Sequence, residues 1–113
     1  MSYSIAMLSV HTSPLDIPGR TKDAGGMSVY IQQLARELGN QQVTVDIYTR
    51  RTHEHQPRIV QLSPHVRVIH ISAGPLTPIP KDGLYPHLST FVQRIDEFKA
   101  GQGLQYDVLH SHY

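Results

Sequence analysis

The chain has no cysteine. Disulfides, thiolate metal sites and a cysteine nucleophile are therefore all excluded, and the composition fits a cytoplasmic protein. It also lacks any apolar run near the ~20 residues needed to cross a bilayer, so no membrane span is expected. The N-terminus, MSYSIAMLSV, has no basic stretch before its apolar residues, and His11 soon ends them, which argues against a secretory signal. Nor is one sign of charge in excess. Ten Lys and Arg against nine Asp and Glu leave a formal net charge of +1. That balance does not support a broad nucleic-acid surface or a polybasic membrane patch. No internal repeat or low-complexity linker divides the 113 residues, a length that supports one domain at most.

What is present reads as alternating strands and helices. Ile5 to Val10 is a short, nearly continuous apolar run that suits a strand buried on both faces. Leu15 to Gly26, rich in proline, glycine and charge, reads as a loop. Met27, Tyr30, Ile31, Leu34, Ala35 and Leu38 then recur at helical spacing as a core face, with Gly39-Asn40 as the stop. Val43 to Tyr48 is β-branched and strand-like. Thr52 to Pro64 is polar and reads as a loop or exposed excursion. Val66 to Ile71 is a third strand, and the four prolines and two glycines of AGPLTPIPKDGLYP predict irregular chain. Leu88, Phe91, Val92, Ile95 and Phe98 share one helical face, with Pro86 near a first turn. Tyr106 to Tyr113 closes as a fourth strand. The order β-α-β-β-α-β predicts an α/β fold, the first part of a Rossmann-like domain with a mostly parallel sheet.

The stretch DAGGMSVY places Gly25 and Gly26 at the mouth of the first helix. Helix-mouth N–H groups and the positive end of the helix dipole suit a phosphate or carboxylate. The glycines could equally serve a tight turn and close helix–sheet packing, and spacing alone leaves both readings open. A dinucleotide fingerprint is absent: the loop is long, the glycines are adjacent, and the second strand ends in Thr49, Arg50 and Arg51 rather than an acid. No G-K-[ST] follows, so the Walker pattern fails too. Arg50 and Arg51 read as solvated charge covering the sheet edge, with a phosphate contact as the alternative. His110 and His112 share a strand face, and His53 and His55 flank Glu54. Neither pair has a clear third ligand, so no metal site is expected.

The ordered string H-T-S-P-L, a proline-containing loop, D-A-G-G-M-x-V-Y, a strand ending T-R, and YDVLHSHY resembles the N-terminus of GT-B glycosyltransferases of family 4. Within them it is most similar to the group of inositol-phosphate glycosyltransferases and sucrose-phosphate synthases. The resemblance implies two Rossmann-like domains facing across a cleft, with residues 1–113 forming an incomplete N-terminal, acceptor-side domain. It implies transfer of a sugar from a nucleotide sugar to a hydroxyl of a phosphorylated polyol or sugar, with anomeric configuration retained. No cofactor is implied beyond the nucleotide sugar as co-substrate.

Carried over by position, the acceptor-binding residues are His11, Asp23, Ala24, Gly25, Gly26, Met27, Ser28, Lys81 and Tyr113. Ile17, Pro18 and Gly26 fall on the donor side. Two departures stand out: Ser28 replaces the usual asparagine of the inositol-phosphate enzymes, and the loop before Asp23 is one residue longer. The family's catalytic histidine lies beyond HSHY, so no catalytic residue is expected within these residues. The isolated chain is then expected to be inactive, with its last strand an exposed edge that invites self-association. Without the resemblance, His11 reads as a strand-end cap, Lys81 as a solvated turn residue and Tyr113 as a frayed end. The alternative function is a module that binds a phosphorylated sugar or polyol without catalysis.

Overall fold

A computed structural model describes residues 3–11, 13, 15 and 26–111, with side chains in the first helix from residue 29 onward. Its elements are β1 (Ser4–Leu8), α1 (Gly26–Asn40), β2 (Thr44–Arg50), β3 (Ile59–Ser63), β4 (Val66–Ile71), a 3-10 turn over Lys81–His87, α2 (Leu88–Gln102) and β5 (Val108–Ser111). The five strands form one sheet in the order β3-β4-β2-β1-β5. All pairs are parallel except β3 with β4. The mostly parallel α/β class expected from the pattern is therefore the observed one.

The two helices cover opposite faces, as a sheet buried on both sides requires. On one face Ile31 and Ala35 of α1 pack over Met7, Val45, Ile47, Val66 and Val68. On the other Phe91, Ile95 and Phe98 of α2 cover Ala6, Tyr48, Ile69 and Ile71. Each helix buries a narrower stripe than the sequence suggests. Tyr30 is 52% exposed and Val92 47%. Each lies about 100° around the helix from the stripe's centre, and so points to solvent.

The Thr52–Pro64 segment is only partly a loop. Ile59–Ser63 forms β3, an antiparallel edge strand joined to β4 through Pro64 and His65, with a register shift between Gln61 and Ser63. The polar residues ahead of it and the two flanking prolines mask its Ile59, Val60 and Leu62 alternation. The prolines of AGPLTPIPKDGLYP do not keep all of that segment irregular either, since Lys81–His87 winds into a 3-10 turn with Pro86 inside it. Helix α1 ends at Asn40, at the expected Gly39-Asn40 stop, and the left-handed residue just beyond it is Gln42, at φ 68°. Gly39 also serves a close approach, because a Cβ there would lie 3.0 Å from Val66 Cγ2.

One buried polar network crosses the α2 face of the sheet. Asp46 and Arg67 are directly paired across β2 and β4. Arg67 Nε and Nη2 each donate to the carboxylate at 2.8 Å. The Tyr106 hydroxyl donates to Asp46 Oδ2 at 2.6 Å, which leaves Tyr48 as the donor in the 2.5 Å contact between the two hydroxyls. Burial raises the pKa of both tyrosines, and for Tyr106 the hydrogen bond to Asp46 raises it further. The bond to Asp46 also holds the Arg67 cation, raising its pKa.

Candidate functional site at the β1–β5 crevice

The strand order places a topological switch point between β1 and β5. From β1 the chain passes through α1 to β2 on one side, whereas from β4 it passes through α2 to β5 on the other. Ligands of open α/β sheets bind in the crevice outside the carboxyl ends of the strands at such a point. Leu8 of β1 lies in register with Ser111 of β5, so the carboxyl ends of the two strands lie side by side.

At the end of β1, the Ser9 amide donates to the Tyr48 carbonyl at 2.8 Å. Ser9 and Val10 are buried there. His11 follows, half-buried, with its Nδ1 out of solvent. The Ser13 hydroxyl accepts the Leu15 amide at 3.1 Å, a local side-chain-to-backbone bond typical of a turn. Helix α1 begins at Gly26, and its first turn, Gly26 to Val29, carries no acidic residue to offset the helix dipole. Two of the carried-over features, His11 and the Gly26–Ser28 helix start, thus fall on the connection that leaves β1 at the crevice. Asp23, Ala24, Gly25, Ile17, Pro18 and Tyr113 lie outside the described residues, as does His112.

Lys81 opens the 3-10 turn and is exposed, with Asp82 beside it. The segment leading to it is held by a residue whose role the sequence misstates. Arg50 is not solvated: it is 4% exposed. Its guanidinium donates to the carbonyls of Pro75 at 2.6 Å and Thr77 at 2.5 Å, with longer contacts to Ala73 and Arg51 at 3.4 Å. Burial lowers its pKa, and the fork of N–H groups is spent on the proline-rich segment rather than on an anion. Its position within β2 is the only sequence signal that could have suggested this. Arg51 turns the other way, to the His53 carbonyl at 3.0 Å and the Glu54 carbonyl.

Among the described residues no three His, Asp or Glu side chains gather as a metal site. His55 pairs with Glu54 at 3.3 Å on the surface, and His110 lies on the exposed β5. No helix among the described residues is long and apolar enough to cross a membrane.

Residues 25–113 match the glycosyl transferase 4-like domain. The chain belongs to this family. It is 47% identical over 109 residues to a D-inositol 3-phosphate glycosyltransferase of Corynebacterium efficiens, covering 96% of this chain and 26% of that protein. A protein of the same name from Saccharomonospora viridis is 49% identical over 110 residues, covering 96% and 25%. A sucrose-phosphate synthase from Thermosynechococcus elongatus superposes with a TM-score of 0.90 at 37% identity, over 98% of this chain and 27% of that one. The chain spans about a quarter of the length of these curated relatives. Family membership and the Rossmann-like sheet agree with the reading drawn from DAGGMSVY and YDVLHSHY.

Proposed function

We propose that these residues form the acceptor-side part of a retaining glycosyltransferase. It moves a sugar from a nucleotide sugar to a hydroxyl of a phosphorylated polyol or sugar. The observation that carries the reading is the switch point between β1 and β5, onto which α1 opens with an uncompensated N-terminus. His11, Asp23 through Ser28, Lys81 and Tyr113 serve the acceptor. Ile17, Pro18 and Gly26 lie along the donor. The helix mouth stabilises the charge that grows on the leaving phosphate. No metal or other cofactor takes part, so transfer persists in the presence of a chelator.

A panel of nucleotide sugars offered with D-inositol 3-phosphate or a hexose phosphate tests this. The expected result is release of nucleoside diphosphate only when acceptor is present, and a product with the donor's anomeric configuration. Release without acceptor, or an inverted product, contradicts it.

The 113 residues alone are a different matter. A helix mouth supplies ~0.3–2 kcal/mol toward an anion, whereas a 1 mM dissociation constant needs about 4 kcal/mol. By themselves they are expected to bind weakly and to transfer nothing, as a binding module would. Their β5 edge exposes Val108 and Leu109, so self-association is expected as well. Robust turnover, or a monomer that persists at high concentration, would count against these two expectations.

A further inference from the structure

On the α2 face, away from β1 and β5, a cavity of ≈570 Å³ opens beside the β3 edge of the sheet. It is bounded by the ends of β2 and β4, the start of β3 and the outer turns of α2. That size lies within the range of small-molecule sites and exceeds what a simple ion fills. Its lining gathers Arg51, Arg58 and Arg94 around a single carboxylate, Glu97. A chain with a net charge of only +1 has concentrated positive charge here.

The guanidiniums of Arg58 and Arg94 are held but not consumed. Arg58 lies over the Phe98 ring, 5.3 Å from its centroid, a contact that uses none of its N–H groups. Among the described residues no carboxylate pairs with it. Arg94 gives one N–H to Glu97 at 2.9 Å, an exposed pair of adjacent helical turns that contributes little and yields readily to a stronger anion. Arg51 is braced from behind by the carbonyls of His53 and Glu54. The floor is ordered: the His70 ring, 3% exposed, donates from Nδ1 to the Pro57 carbonyl at 2.7 Å, and its amide bonds the Arg58 carbonyl at 2.8 Å. The backbone that carries Arg58 is thereby fixed to β4. Planar forks on rigid supports suit the oxygens of a phosphate dianion better than single lysines would.

We propose that this cavity binds the phosphate group of a small phosphorylated metabolite, gripped by Arg58 and Arg94, with Arg51 adding its charge to the lining. Gln56 and Gln102, also in the lining, offer amides to the polar body of the ligand. The site is separate from the β1–β5 crevice. The cavity's strand residues come from β3 and β4, with Arg51 just beyond β2, on the far side of β1 from β5, and its helix is α2 rather than α1.

Equilibrium dialysis of the protein against radiolabelled inorganic phosphate, with chloride holding ionic strength constant, tests the proposal. The expected result is saturable binding that R58Q and R94Q each weaken about tenfold. E97Q, which removes the competing carboxylate, tightens it. The opposed signs separate a direct role from a general loss of structure, and circular dichroism checks the fold of each variant. Absence of saturable binding below about 10 mM, a range weaker than one good charged contact set provides, would overturn the proposal. So would three variants that bind like the parent.

Discussion

Arg50→Ala removes the cation that ties β2 to the segment before Lys81. Two short bonds dominate the contact, to Pro75 at 2.6 Å and Thr77 at 2.5 Å. Bonds from a charged donor contribute about 1.5–3 kcal/mol each, so the pair sets a ceiling of about 6 kcal/mol. Two effects lower it. Pro75 and Thr77 are exposed residues whose carbonyls water can reach once the guanidinium is gone. Burial also disfavours the Arg50 cation, a cost that its removal relieves. The expected loss is therefore about 2–3 kcal/mol, a large share of the 5–15 kcal/mol typical of a domain. Urea unfolding should show it as a lower midpoint at unchanged slope. Amide exchange should quicken across Thr77 to Leu84, and Arg50→Lys should recover only part, because one ammonium cannot span both carbonyls. A loss under about 1 kcal/mol, with exchange unchanged, would refute the clamp.

Arg67→Ala strands the Asp46 carboxylate, 1% exposed, with Tyr106 as its remaining partner. A loss of about 3 kcal/mol is expected, the low end for a broken buried pair because Arg67 is a quarter exposed. Denaturant midpoints should show Asp46→Asn/Arg67→Ala costing less than the two single changes combined. Gly74→Ala places a Cβ 2.9 Å from the His87 ring at φ +80°, so a loss of about 2 kcal/mol is expected from strain and clash together. Thermal unfolding at the parent's temperature would contradict it. Tyr48 and Tyr106 both have raised pKa values in the fold. The unfolded chain therefore loses these protons first, from about pH 10 upward. Stability should hold below pH 10 and fall above it by up to about 2.7 kcal/mol per pH unit, and Tyr48→Phe/Tyr106→Phe should flatten that fall.

The strands that lie in the middle of the sheet were legible because burial on both faces leaves continuous β-branched runs. Val66–Ile71 matches its expected span, and the expected Val43–Tyr48 differs from Thr44–Arg50 by no more than two residues at either end. Edge strand β3 was not legible, since half of its side chains meet water and its composition resembles a loop. Helix faces were read about one residue too wide at Tyr30 and Val92, because apolar residues flanking a buried stripe look like part of it. Arg50 was misread for a different reason. Its partners are backbone carbonyls more than twenty residues away, and carbonyls leave no mark in a sequence. Of the candidate site, the crevice followed from topology once β5 was seen beside β1. The glycine loop itself rests on the family motif.

Backbone amide shifts during titration of the protein with D-inositol 3-phosphate test most directly whether the glycine-loop helix and the end of β1 hold the acceptor. A site at the β1–β5 crevice predicts saturable shifts at His11 and at Gly26, Met27 and Ser28, lost in a variant that places a carboxylate in the first turn of α1, such as Ser28→Asp. Shifts that leave those residues untouched, or that survive Ser28→Asp unchanged, would contradict it.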